Sequence, residues 1–514
     1  MTRLRTLWRC LKASPRWSTV AFFIMLLVLC AAIFLIVLPI GPSPSDDLFY
    51  IDAAHRLQAR TYQAPSEQFP YHHYLRWPVT LPLALLFALF GLSGKTIAAF
   101  TAFHLFGVCA LTYSIALRLY GRRILAMLAA LAPFMIPESL LPWLVRAEPP
   151  CLLWALVALQ LTLSGGGLLR TFAAGLCMAV AANAQQVALF AVPGIALLTL
   201  RQTSSANRRA ARTVSLLAGV TAGVLGIMCL EWLLLGDFWI ELKSMKWWHL
   251  RPIYRTSASD GLAGFLDPSD ERRFVLGFLK NLSHAFPLMS AAFCGGVVLR
   301  ILAWRRVLTP SRDMILAAGL TIGLLEMLGP LAVEKTYIRF LVIPLYLICI
   351  EFIALVYETA IAKPARWWSR LPTLALAVAA IPHLKDNLER LTRVPEHMRY
   401  YADPVRLIAA DIRQRRVLPR KVLLLFQDKG LPGLIDWSWA VQCYSDYRLA
   451  DAKIRERIRV PPRDHARVTY FVGTEPGPFE SAGFKVITYP HGQQEASRPQ
   501  VLVHETSQDP VPSK

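Results

Sequence analysis

Two adjacent carboxylates, Asp46 and Asp47, stand directly after the first long apolar run, Val20 to Ile40. Acids that emerge from a first helix at a membrane surface are placed to take a proton from an acceptor hydroxyl, a role worth ~10²–10⁴ in rate. They open a polar stretch, Gly41 to Trp77, that also holds Asp52, His55, Glu67, His72, His73 and Arg76 with Tyr50, Tyr62, Tyr71 and Tyr74. Acid, base, cation and rings on which a sugar can stack are thus gathered in one segment. A structural alternative stays open: Ser45 and Asp46 can cap a helix that begins near Leu48, because acids favour the positive end of a helix dipole. One aspartate can cap while the other reacts.

Further candidates lie at three later points. Arg146-Ala147-Glu148-Pro149-Pro150 puts an acid where a helix N-terminus favours an anion, so Glu148 is either a catalytic partner or a cap. Between Lys243 and Arg255, Lys246 and Arg251 flank Trp247-Trp248-His249 and either bind a phosphate head group or anchor at the interface. Lys335 and Arg339 fall one helical turn apart, which suits a phosphate unless neighbouring acids neutralise them. Arg76, just before an apolar run, reads as a cation for lipid phosphate or as a snorkelling side chain. His72-His73 beside Asp47 or Glu148 offers donors to a divalent metal, although adjacent histidines lack the i, i+4 geometry of helical metal pairs. Tyr50, His72, His73, Tyr74 and Arg146 complete the candidate substrate-binding set.

The elements that must position these groups are membrane helices. The chain has 514 residues, 55% of them hydrophobic, with a mean hydropathy of +0.42, which excludes a soluble globule. Its net charge of +21 concentrates in short loops between apolar runs, where Lys and Arg set topology, so nucleic acid is discounted as a partner. Cys30, Cys109, Cys151, Cys177, Cys229, Cys294 and Cys349 lie in apolar runs, and no disulfide framework or CxxC knuckle emerges from the nine cysteines. The basic start, Arg3 to Arg16, precedes an apolar core too long for a signal peptide, so an uncleaved anchor with a cytoplasmic N-terminus is expected.

Further spans are expected at Ala98 to Leu117, Ile124 to Ile136, Pro150 to Leu163, Ala173 to Ala184, Val187 to Leu200, Val214 to Leu235, His284 to Leu302, Met314 to Val333, Ile338 to Tyr357 and Leu371 to Pro382. That makes about eleven crossings. In this register Arg118, Arg122, Arg123, Arg170, Arg201, Arg208, Arg209 and Arg212 fall inside, while Asp46, Asp47, Glu148, Asp237, Glu241 and Glu334 fall outside. Val79 to Phe90 is short, contains Pro82 and ends at Gly91, so it is expected to lie along the outer leaflet. Gly165-Gly166-Gly167 reads as a turn. The first domain then covers 1–385, with the first outer loop at 41–77 and the interfacial helix at 78–91. Residues 386–514 form a small extracytoplasmic α/β domain, with strands expected at Val422 to Phe426, Val468 to Val472, Lys485 to Tyr489 and Val501 to His504. Helices are expected there at Pro404 to Gln414 and Ala450 to Arg459.

Taken together, Asp46-Asp47 after the first helix, Tyr74-Leu75-Arg76-Trp77 running into Leu81 to Gly91, Arg118-Leu119-Tyr120-Gly121-Arg122-Arg123, Arg146 to Pro150, and Tyr337-Ile338-Arg339-Phe340 through Pro344 are similar to a known pattern. The chain resembles the GT-C superfamily of polytopic glycosyltransferases, in the lipid-carrier-dependent branch of aminoarabinose transferases and protein O-mannosyltransferases. The resemblance implies an α-helical bundle in a bacterial inner membrane and an inverting transfer from a polyprenyl-phosphate-linked sugar to an extracytoplasmic acceptor. It implies Asp46 or Asp47 as general base, Glu148 as an aid to acceptor or metal placement, and Arg76, Lys335 and Arg339 as stabilisers of the leaving lipid phosphate. Gln185-Gln186 departs from a Lys-Glu pair common in relatives, and Glu148 replaces a usual aspartate. A transporter and a non-catalytic envelope-assembly scaffold are the competing classes, with Glu231, Glu326 and Glu351 as the few intramembrane acids a transport path would use.

Overall fold

The computed structural model describes residues 15–37, 46–62, 72–131, 146–165, 167–201, 205–245, 309–332, 342–357, 403–427, 441, 452–455, 468–473, 477–487 and 500–505. The expected spans at His284 to Leu302 and Leu371 to Pro382 lie outside these residues, as does the end of Ile124 to Ile136 from position 132.

Helix α1 (Pro15–Val37) buries Phe22, Leu26 and Cys30, spaced four apart, and exposes Val20, Ile24, Leu27 and Val28. An apolar residue on the exposed face has no reason to be there in water but every reason in lipid. Helix α2 (Asp46–Gln58) follows the polar linker. A 3₁₀ turn at His72–Leu75 leads into α3 (Trp77–Phe90), which begins with Pro78 in its first turn and stops at Gly91, whose φ of 76° and ψ of 162° only glycine adopts readily. Val79, Leu83 and Phe87 form its buried face, and Leu81, Leu85 and Leu89 the exposed one. Its 14 residues rise about 21 Å, short of the ~30 Å hydrocarbon thickness.

Helix α4 (Gly94–Tyr120) starts at Ser93, whose hydroxyl accepts the Thr96 N–H at 3.2 Å, and ends at Gly121, φ 64°. It packs on α1 through Tyr113, whose ring lies 5.8 Å from Phe22 and 5.1 Å from Phe23. Then come α5 (Arg123–Ala129), α6 (Glu148–Leu163), α7 (Leu168–Ala184), a 3₁₀ segment Gln186–Ala191, α8 (Val192–Arg201), α9 (Ala206–Leu235), α10 (Ile240–Met245), α11 (Thr309–Ala332) and α12 (Val342–Tyr357). The apolar run expected at Val187 to Leu200 is therefore a broken helix, 3₁₀ then α. Helices α4 and α9 are long and apolar enough to cross a bilayer.

Helices α7 and α9 touch backbone to backbone. A Cβ added at Gly175 would sit 2.1 Å from Leu216 O, and one at Gly219 2.1 Å from Phe172 O, while Gly223 faces Ala179. Gly219 and Gly223 have the GxxxG spacing that lets membrane helices approach closely. The rest of α9 exposes Val214, Leu217, Leu225, Trp232 and Leu233.

Polar contacts sort the helix ends. At one end, Arg118 Nη1 donates to Leu163 O at 3.2 Å, Arg201 pairs with Asp313 at 3.1 Å, and Tyr120 hydrogen-bonds Glu351. The opposite end gathers α2, the N-termini of α3 and α6, the C-termini of α7 and α9, and α10.

The C-terminal region holds α13 (403–415), strands β1 (Val422–Phe426), β2 (Lys453–Arg455), β3 (Val468–Gly473), β4 (Lys485–Ile487) and β5 (Gln500–Glu505), and the short α14 (Gly477–Glu480). The sheet order is β2-β1-β3-β5-β4. β1 is parallel to β2 and β3, whereas β5 is antiparallel to β3 and β4. Alternate residues of β1 serve two cores: Leu424 and Phe426 meet Ile408 and Ile412 of α13, and Leu423 and Leu425 meet Phe471, Phe479 and Phe484. Such two-sided burial matches the uninterrupted apolar run of β1. The helix expected at Ala450 to Arg459 is corrected: its centre is β2, paired with Leu423–Leu425. The open edge of β1 offers backbone partners that outweigh a weak local helical preference.

Candidate functional site: the acid-bearing end of the bundle

Asp46 and Asp47 are the first two residues of α2, where carboxylates favour the dipole; their side chains lie outside the described structure. One turn further on, Asp52 is 2% exposed. Its Oδ2 accepts from Arg56 Nε at 2.8 Å and from the Tyr74 hydroxyl. Burial, then the charge of Asp52, pushes the Tyr74 phenol above its ordinary range, so Tyr74 stays a donor. Tyr62, raised by burial and by Glu231 and Asp52, donates to Tyr74 O at 2.8 Å. His55 is lowered, chiefly by burial, which favours the neutral ring.

Arg76 occupies the boundary position of α3. Its Nη1 donates to the Tyr50 hydroxyl at 2.7 Å, and its guanidinium carbon stands 5.9 Å from the Tyr50 ring centre. Its charge reaches Glu241 and Cys151, and Cys151 also feels Glu148. Arg76 therefore sits among α2, α6 and α10. Glu148, 2% exposed, opens α6 with Pro149 and Pro150 behind it, and Arg146 is half-buried just before. His73 stacks on Phe49, ring centres 5.2 Å apart, and meets Tyr50 edge-on at 5.5 Å.

Behind Arg76 lies a second network. Asn183, near the end of α7, accepts the Trp77 backbone N–H at 3.0 Å and donates to Leu75 O at 3.1 Å and Glu241 Oε2 at 3.3 Å. The Trp77 indole donates to Glu231 Oε1 at 3.1 Å, and Gln186 donates to Glu241 Oε1 at 3.4 Å. Glu231 and Glu241 are electrostatic neighbours within this network. Burial raises Glu241, opposed by the neighbouring Glu231 and Gln186 side chains and by the charge of Arg76.

No family model and no curated protein matches the chain. Among solved structures it superposes on ArnT from Cupriavidus metallidurans bound to undecaprenyl phosphate, with a TM-score of 0.52 and 12% identity over 93% of this chain and 97% of that one. The two share a fold. The apo form of the same protein gives a TM-score of 0.47 at 13% identity over 95% and 98%. An oligosaccharyltransferase from Archaeoglobus fulgidus gives 0.44 at 11% over 85% and 65%.

Of the residues expected to act, the bundle brings Arg76, Tyr50, Tyr74, His73, Glu148 and Arg146 to one end. The side chain of His72 and the whole of Lys246, Arg251, Lys335 and Arg339 lie outside the described residues. No group of three or more His, Cys, Asp or Glu is arranged to hold an ion among the described residues, and of the expected metal donors Asp47 and His72 have side chains outside them. Sequence reasoning missed Asp52, Trp77, Asn183, Gln186 and Glu241 as a connected set. A signal existed in Asn183, a lone amide in the alanine-rich end of α7. Glu231 gave another, since an acid in an apolar span costs ~2.5–3.5 kcal/mol on insertion scales. The Gln185-Gln186 departure has a structural use at Gln186, which supports Glu241.

Proposed function

We propose that this chain is a membrane glycosyltransferase that moves a sugar from a polyprenyl-phosphate carrier to an acceptor on the extracytoplasmic face. The carrying observation is the seat of Arg76, a guanidinium anchored on Tyr50 at the acid-bearing end of the bundle. That bundle shares its fold, over 93% of the chain, with a transferase crystallised with undecaprenyl phosphate. A guanidinium has five N–H donors in a planar fork that matches phosphate, and the Tyr50 contact uses one of them.

In this reading Asp46 or Asp47 takes the proton of an acceptor hydroxyl. The oxygen attacks the anomeric carbon from the face opposite the lipid phosphate, so the new bond forms with inversion. The bond to the phosphate oxygen breaks with its electron pair, and Arg76, Lys335 and Arg339 stabilise the charge that develops there. Lys246 and Arg251 add positive charge to the donor site, and Glu148 helps place the acceptor. Tyr50, His72, His73, Tyr74 and Arg146 line the sugar and acceptor side.

The arrangement across the membrane follows the charges. With the arginine end cytoplasmic, about eleven helices cross, the N-terminus is inside, α3 lies along the outer leaflet, and residues 386–514 stand outside a bacterial inner membrane. The test is incubation of purified protein in nanodiscs with envelope lipid extract, reading lipid-linked sugars by mass spectrometry. Release of free polyprenyl phosphate by wild type, abolished by Asp46→Asn or by Asp47→Asn, is the expected result. No release by wild type would move the assignment to a transporter or a scaffold.

A further inference from the structure

Asn183 is 6% exposed, and every hydrogen-bonding group of its amide has a partner. Oδ1 accepts the Trp77 N–H, while Nδ2 donates to Leu75 O and Glu241 Oε2. Leu75 and Trp77 are the two chain neighbours of Arg76, so one side chain from α7 holds the peptide groups on either side of it. The orientation of the amide is forced, because a backbone N–H requires an acceptor and a carbonyl requires a donor. Turning the amide over would break both bonds.

The clamp answers a defect in the sequence of α3. The first-turn N–H groups of a helix have no partner within it, and Arg76, at the boundary, makes no side-chain cap. Pro78 has no N–H to offer, which leaves the Trp77 N–H to be satisfied from another helix. The Trp77 indole is tied in turn to Glu231 of α9. The backbone of Arg76, φ −83° and ψ 75°, is thereby fixed from outside its own helix. The amide accepts and donates at once here. An ionised carboxylate, the form Asn183→Asp takes at high pH, has no donor for Leu75, and an aliphatic side chain has neither group.

We propose that Asn183 is a positioning residue that clamps the backbone on both sides of Arg76 and so sets where the guanidinium meets the phosphate of the lipid-linked donor. This role rests on the reading of Arg76 as a phosphate ligand. A displacement of about 1 Å in such a group can cost about a hundredfold in rate, which is why the anchor matters as much as the charge.

The test compares wild type, Arg76→Ala, Asn183→Leu and Asn183→Asp in nanodiscs, measuring affinity for undecaprenyl phosphate and for undecaprenol, with hydrogen exchange of residues 72–80 read by mass spectrometry. Wild type should prefer the phosphate, and Arg76→Ala should lose that preference. Both Asn183 variants should lose about tenfold of it, keep wild-type affinity for undecaprenol, and exchange the 72–80 amides faster. Where Asn183→Leu does not fold, Asn183→Asp decides, since it keeps the volume and the acceptor for Trp77. Wild-type preference in the Asn183 variants, with Arg76→Ala impaired, overturns the positioning role and leaves the donor reading standing. Unchanged exchange at 72–80 overturns the clamp, and equal loss of both lipids reduces Asn183 to a structural residue. Wild-type preference in Arg76→Ala overturns the donor reading and this role with it.

Discussion

Arg76 carries its charge on a boundary position held by three other elements, through Tyr50, Asn183 and the indole of its neighbour Trp77. Hydrogen bonds to charged groups contribute about 1.5–3 kcal/mol. Arg76→Ala should therefore lower donor turnover about ten- to a hundredfold, and Arg76→Lys should restore only part, because an ammonium lacks the planar fork. Steady-state release of polyprenyl phosphate measures both. Glu241 makes a separate prediction. Its raised affinity for a proton means that the native state keeps a proton which the unfolded chain releases near the ordinary value of 4.5. The native state then binds more protons, so stability falls as pH rises above that value. Thermal unfolding in detergent from about pH 5 to about pH 8 should show this decline in wild type and a flatter profile in Glu241→Gln. That Arg76 and Glu148 stand at helix starts was legible in the sequence, because each lies at the edge of an apolar run. Asn183 and Glu241 were not legible as site residues, because their roles arise only when α7, α9 and α10 converge on one backbone turn.

The helices were read most securely where hydropathy alone defines them. The run expected at Pro150 to Leu163 is α6, Ala173 to Ala184 is the main part of α7, and Val214 to Leu235 is the apolar part of α9. Hydropathy did not report how they pack. The contact of α7 with α9 depends on Gly175 and Gly219 having no side chain, since a Cβ on either would fall 2.1 Å from a backbone oxygen that cannot swing aside. Gly219→Val should destabilise the protein by about 1–3 kcal/mol or more, seen as a lower unfolding temperature in detergent. Gly226→Val on the same helix, where nothing lies within 4 Å, should leave it close to wild type, and equal effects at both sites would contradict the packing. In the C-terminal region the four longer apolar runs became strands, but β2 was misread as helix. Three residues of charged-apolar alternation carry little periodicity, and the parallel edge of β1 supplies the order.

Across the described residues, apolar surface on α1, α3 and α9 faces outward, as a lipid environment favours. Sugar and acceptor identity were not legible, because hydroxyl recognition is assembled from segments far apart in the chain. The most direct test of the account is mass spectrometry of envelope glycolipids, glycans and glycoproteins from a deletion strain complemented with wild type, Asp46→Asn or Asp47→Asn at equal membrane expression. The account predicts loss of one defined sugar increment, restored by wild type and by one of the two variants. An unchanged glycan profile in the deletion strain, or full restoration by both variants, would contradict it.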